Sequence, residues 1–230
     1  MTLSDKILEF NKSLNLKTTL PNGFEVMNPF KGAGSSAILE ITTTFYQKYY
    51  NDHRPRKLIL GINPGRLGAG ATGLPFTDTE RLNSHCNIPF KEFKLHEPSS
   101  VFVYKMIKAY GGVGEFYSQF YINSVCPLGF LQSSKKGNLV NANYYDDRKL
   151  YQVVKPFIIS SLKKQVDWGL ETDRVWCMGS GMNYKYLKEI NSETQLFKQI
   201  IPLDHPRYVV QYRSKRMDEY VQKYIQLLSD

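Results

Sequence analysis

Two periods of apolar residues alternate along this chain. Short apolar runs bounded by glycine, proline or polar clusters occur at Leu58–Leu60, Phe120–Val125, Arg174–Met178 and Gln199–Leu203, and read as buried strands. Between them the apolar residues recur at helical spacing. Ser4 to Leu16 predicts a first helix, with Ser4 or Asp5 as cap and Ile7, Leu8 and Leu14 as apolar positions. Ser36 to Tyr50 predicts a second, with Ile38, Ile41, Phe45 and Tyr49 along one side. Asp78 to Asn87 reads as a short helix or turn, and Ser99 or Ser100 as the cap of a helix through Tyr110 that Gly111 and Gly112 end. Tyr144 to Trp168 is the longest helical pattern, and Pro156 should kink it. Asn183 to Ile190 and Arg213 to Leu228 follow, the last with Met217, Tyr220, Val221, Tyr224 and Leu228 inward. Pro21 to Ser36, Lys91 to Pro98 and Lys135 to Asn143 are polar or Gly/Pro-rich and read as loops.

Strands alternating with helices predict a three-layer α/β/α sandwich around a central, mostly parallel four-stranded sheet. With no internal repeat and no low-complexity linker, residues 1–230 read as a single domain. No run of about 18 apolar residues occurs, which argues against a membrane partner. The N-terminal stretch carries acids and lacks an apolar block, unlike a signal peptide. The three cysteines are far apart and match neither a disulfide framework nor a metal-ligand spacing. The expectation is a cytoplasmic protein without metal or cofactor, acting as a monomer. Charge changes the picture more: 30 Lys plus Arg against 21 acids leave a net charge of +9, which favours a polyanionic partner such as nucleic acid. The basic cluster at 53 to 57, HRPRK, reads as a solvated turn, with phosphate contact as the minority alternative.

Candidate chemistry collects where strands end. Leu58–Leu60 runs into Gly61-Ile62-Asn63-Pro64-Gly65, then glycines at 68, 70 and 73, then Pro75-Phe76. Phe120–Val125 contains Asn123-Ser124, and the fourth strand runs into Asp204-His205-Pro206. Parallel strands bring these ends to one edge, where ligands of open α/β sheets bind. A nucleotide P-loop is excluded, because GK[ST] is absent, and GxxGxG is not the dinucleotide fingerprint. Taken singly, each piece has a bland explanation: Asn-Pro-Gly as a turn, His205 as a structural residue, Asn123 bonded to a neighbouring loop and Phe76 as core.

Together the pieces resemble the uracil-DNA glycosylase superfamily, and within it the single-strand-selective monofunctional (SMUG-like) branch. GINPGRLGAGATGLPF is similar to that branch's first motif, FYINSVCPLGF to its strand motif, and DHP at 204 to 206 to the start of its second motif. The order is kept from about residue 55 to 225. The resemblance implies excision of uracil from DNA by hydrolysis of the N-glycosidic bond, without a cofactor. It gives Asn63 the role of holding the attacking water and His205 that of steadying charge on uracil O2. It places Ile62, Gly65, Phe76, Asn123 and Ser124 at the base. Gly65 stands where another branch carries a bulky tyrosine, which implies a roomier pocket. Phe76 stacks on the base. Aligned from FYIN, Asn123 reads the base edge; counted back from Cys126-Pro127, Ser124 does. Asn123 is preferred, since an amide carries both donor and acceptor. Arg66, Arg207, Tyr208, Tyr212 and Arg213 are the expected DNA contacts, with Lys215 and Arg216 as further basic candidates, and Tyr212 or Arg213 could fill the space left by the base. Arg207-Tyr208 departs from the usual Ser-Pro of the second motif. Two alternatives stand beside this: a wider range including hypoxanthine or xanthine, and a non-catalytic nucleic-acid-binding α/β module.

Overall fold

The computed structural model describes residues 1–134 and 137–229. Its strands in chain order are β1 (Phe24–Met27), β2 (Lys57–Gly61), β3 (Phe120–Ser124), β4 (Gly129–Ser133), β5 (Leu139–Ala142), β6 (Glu171–Met178) and β7 (Gln199–Leu203). The helices are α1 (Leu3–Ser13), α2 (Ser35–Tyr50), α3 (Ala69–Thr72), α4 (Thr79–Ser84), α5 (Pro98–Ala109), α6 (Val113–Gln119), α7 (Arg148–Val166), α8 (Met182–Thr194), α9 (Pro206–Tyr212) and α10 (Met217–Ser229). The central sheet has the order β3-β2-β6-β7 and is parallel throughout. The chain leaves β2 for β3 on one side and then crosses to β6 on the other, so β2 ends at the topological switch point. No helix among the described residues is long and apolar enough to cross a membrane.

Register assigns the faces. Ile59 pairs with Ile122 and Trp176, and the Trp176 indole donates to the Leu227 carbonyl at 2.8 Å, so this face lies under α10. Phe102 of α5 packs edge-on against Tyr224 of α10 in the same layer. Cys177 and Asn123 belong to the opposite face, where Asn183 of α8 donates to the Cys177 sulfur and Gln165 of α7 accepts from Asn123. Trp176, Phe120, Phe102 and Tyr224 are almost fully buried between these layers.

The four predicted central strands are present, and the loops hold more structure than their composition suggested. A three-stranded antiparallel sheet, β1-β4-β5, stands where Pro21 to Ser36 and Lys135 to Asn143 were expected to be loops; Lys135 and Lys136 lie outside the described residues. α1 is capped by Thr2, not Ser4 or Asp5: Thr2 Oγ1 accepts from Asp5 N–H, and the Asp5 carboxylate accepts from Thr2 N–H in return. α5 is capped by Glu97 with Pro98 in its first turn, which moves Ser99 and Ser100 inside the helix. α7 continues through Pro156, which lies on its exposed face; water can reach the Gln152 carbonyl that the proline leaves without a partner. Arg56 of the HRPRK cluster is not solvated: it is fully buried, and its guanidinium donates to Asp52 and to the Tyr117 and Arg54 carbonyls.

Candidate active site

The loop after β2 walls a cavity of about 310 Å³ at the carboxyl edge of the sheet, lined by Asn63, Gly65, Phe76, Glu97, Ser124 and His205 among others. A Cβ on Gly61 would come within 3.3 Å of the Phe76 ring, so the glycine lets that ring lie close against the strand. Phe76 has a φ of 53°, in the left-handed region that bulky residues rarely occupy, yet it is 91% buried. Packing therefore holds the ring in a strained but defined position. His205 faces it, ring centroids 6.2 Å apart.

The pleat decides which residue of β3 can reach the cavity. Gly61 pairs with Ser124, so their side chains share a face, the one Phe76 covers. Asn123 must then point to the other face. There its amide nitrogen donates to Tyr121 Oη at 2.9 Å and Gln165 Oε1 at 2.7 Å, and its oxygen accepts from Ser124 N–H. Asn123 borders a side cavity of only about 20 Å³, while Ser124 lines both spaces. The preference for Asn123 as the residue on the base thus meets the opposite placement: Ser124, reached by counting back from Cys126-Pro127, stands in the main cavity.

Asn63 is fixed by the small sheet. Its Oδ1 accepts from Tyr144 N–H at 3.0 Å, and its Nδ2 donates to the Ala142 carbonyl at 3.2 Å, which also settles the amide orientation. One lone pair of Oδ1 stays available to a water or ligand. Ile62 lines the cavity and accepts from Cys126 N–H through its carbonyl. A Cβ on Gly65 would meet only Asn141 Nδ2, at 3.4 Å, so nothing but hydrogen fills that side.

His205 caps α9. Its Nδ1 accepts from Arg207 N–H at 3.1 Å, so the proton of the neutral ring sits on Nε2. Burial, helped by the Arg207 charge, lowers its pKa to about 4. The ring is therefore a neutral donor at physiological pH. Past it, α9 exposes Arg207, Tyr208 and Tyr212, the tyrosine rings 5.7 Å apart and the Arg213 guanidinium 5.3 Å from the Tyr208 centroid. Arg66 is exposed on the glycine loop, with its backbone N–H on Asn141 Oδ1 at 3.1 Å. Lys215 is exposed, whereas Arg216 is ion-paired with Glu219.

Among the lining residues that escaped the sequence are Asn141 of β5, Asn143 just past it, and Glu97. The first two carried a weak signal, two short partly apolar runs, Phe130–Ser133 and Leu139–Ala142, on either side of Gly137-Asn138. Glu97 carried none that separates it from any acid before a helix.

A strand-end cavity with an aromatic wall, a neutral histidine donor and an adjoining basic, aromatic helix defines an α/β protein built to hold a planar polar group beside a polyanion. The chain belongs to the uracil DNA glycosylase superfamily, whose family model matches residues 47–229. A solved structure described as wild-type Pedobacter heparinus SMUG2 is 47% identical, with a TM-score of 0.96, over 100% of this chain and 97% of that one. No curated protein matches the chain.

Proposed function

We propose that this protein is a monofunctional DNA glycosylase that flips uracil out of DNA and hydrolyses its N-glycosidic bond. The observation that carries this is the meeting of Asn63, Phe76, Ser124 and neutral His205 in one cavity beside α9. A base must leave the stack before its glycosidic bond is accessible. Phe76 gives it an aromatic platform, worth about 1–3 kcal/mol. Ser124 meets its polar edge with a hydroxyl that both donates and accepts. Breaking the bond leaves charge on the base and on the sugar. His205 Nε2–H stabilises the departing anion as a neutral donor, the arrangement of an oxyanion hole. Asn63 cannot act as a base, so it orients water through its free lone pair. Asn123 contributes by fixing the end of β3 through Gln165.

Release of uracil from an oligonucleotide, read as strand scission after alkali, tests this. Asn63→Ala and His205→Ala should each lose about 10²–10³ in rate while still binding DNA. Full activity in either variant removes that residue from the site, and a wild-type chain that binds DNA without releasing base is a binding module. Gly65→Tyr should block the pocket and abolish excision. The open Gly65 side extends the proposal to hypoxanthine and xanthine, which the same assay resolves base by base.

A further inference from the structure

The carboxyl of Glu97 lines the same cavity as Asn63, Phe76 and His205, and no role has been given to it so far. Glu97 is the N-cap residue of α5, but its side chain makes no capping hydrogen bond. It turns instead onto the glycine loop, where a Cβ at position 68 would lie 2.5 Å from Oε1; Gly68 is the residue that makes room for it. Oε2 is buried with no hydrogen-bond partner, and no ion pair reaches the carboxyl among the described residues. Glu97 as a whole is half-buried, and a carboxyl oxygen shielded from solvent without a partner is costly to leave ionised. Its neighbour Asp78 shows the contrast: that carboxylate accepts from Glu97 N–H, Arg81 N–H and the Ser100 hydroxyl.

We propose that Glu97 is a further base-contacting residue, whose protonated carboxyl donates a hydrogen bond to a carbonyl oxygen of the flipped base and to the anion it becomes. The assignment rests on the glycosylase activity proposed above. Burial, with the Asp78 charge adding to it, raises the Glu97 pKa to about 8, so the proton is present at neutral pH. A neutral carboxyl beside a forming anion stabilises it, and a carboxylate there repels it. The charged and titratable groups around it are Asp78, Glu80 and Arg81 of the α4 segment, His96 of its own, and His205 and Arg207 across the cavity.

The test is single-turnover uracil excision from pH 6 to 10 by wild type, Glu97→Gln and Glu97→Ala, with affinity for an abasic oligonucleotide measured alongside. His96, His205 and the other groups are common to all three proteins, so their titrations cancel in the comparison. Wild-type rate should fall about tenfold per pH unit above about 8. Glu97→Gln keeps a donor that cannot ionise and should lose that falling limb. Glu97→Ala should be about 10²-fold slower at pH 7, with oligonucleotide affinity unchanged. If wild type is active and both variants follow its rate and pH profile, the assignment to Glu97 is overturned and the glycosylase function stands. If wild type releases no uracil, both fall.

Discussion

A histidine ring whose Nδ1 is taken by a backbone N–H has only Nε2 to offer, and burial decides whether that nitrogen carries a useful charge. In His205 both conditions favour the neutral donor. The same burial has a consequence for stability. The unfolded histidine takes a proton near its ordinary value of 6.5, the native one only near 4. Between these values the unfolded chain holds the extra proton, so stability falls as pH is lowered from about 6.5 to 4, by up to about 3 kcal/mol, and this contribution is constant above 6.5. His205→Gln removes it. Denaturant unfolding of the two proteins at pH 7 and pH 4.5 should show the wild type losing more stability on acidification; equal losses would mean that His205 titrates normally. The individual site residues were legible to different degrees. Asn63 and His205 follow strands almost directly, and strand ends announce themselves by a change of composition, whereas Phe76 is reached only through the glycine loop and α3. The choice between Asn123 and Ser124 turns on the pleat, and a one-residue difference in counting reverses the face. Glu97 looks in sequence like a solvated acid complementing a helix dipole; only the approach of Gly68 shows that it faces inward.

At the scale of elements, the central strands were readable because full burial makes them continuous apolar runs, as in β2 and β3. β1, β4 and β5 are four or five residues long and each carries two exposed positions in a row, so none shows a period-2 signal. Yet this minor sheet and the turn that follows it supply the Ala142 carbonyl and the Tyr144 N–H that hold Asn63. The start of β2 depends on Arg56, whose charge is concealed in a sequence that reads as a surface cluster. Against the upward pull of burial, hydrogen bonds from Arg56 and Arg54 hold the Asp52 carboxyl well below the usual carboxylate range. Arg56→Met should therefore do more than lose a surface ion pair: it leaves Asp52 half-paired and the Tyr117 carbonyl without its donor at 2.9 Å. The expected cost is about 3 kcal/mol, a fall in Tm of about 6–12 °C for a chain of this size. Arg54→Met, in a residue 64% exposed at its side chain, should move Tm by less than about 2 °C. Equal effects of the two substitutions would contradict the buried role.

For the whole molecule, a net charge of +9 predicts attraction to DNA without saying where DNA lies. The proposed location is α9, which the fold sets beside the cavity, with Arg207 on its rim and Arg213 near Tyr208. Binding through phosphates releases counterions, so affinity should fall linearly on a log–log plot against salt, with a slope that counts the contacts. Replacing Arg207 and Arg213 together by alanine removes two of them. The slope should then shrink by about 1.8 on a duplex or about 1.4 on a single strand. Substituting Lys185 of α8 and Lys198 just before β7, both exposed, lowers the net charge by the same amount and should leave the slope nearly unchanged. Equal slopes for the two double variants would mean that total charge, and not the α9 surface, directs the DNA. If the α9 variant also binds weakly yet excises uracil at the wild-type single-turnover rate once saturated, then α9 holds the backbone while the cavity performs the chemistry. That division of labour is the one proposed, and it accords with Tyr212 being 63% exposed outside the cavity whereas Phe76 and His205 line it.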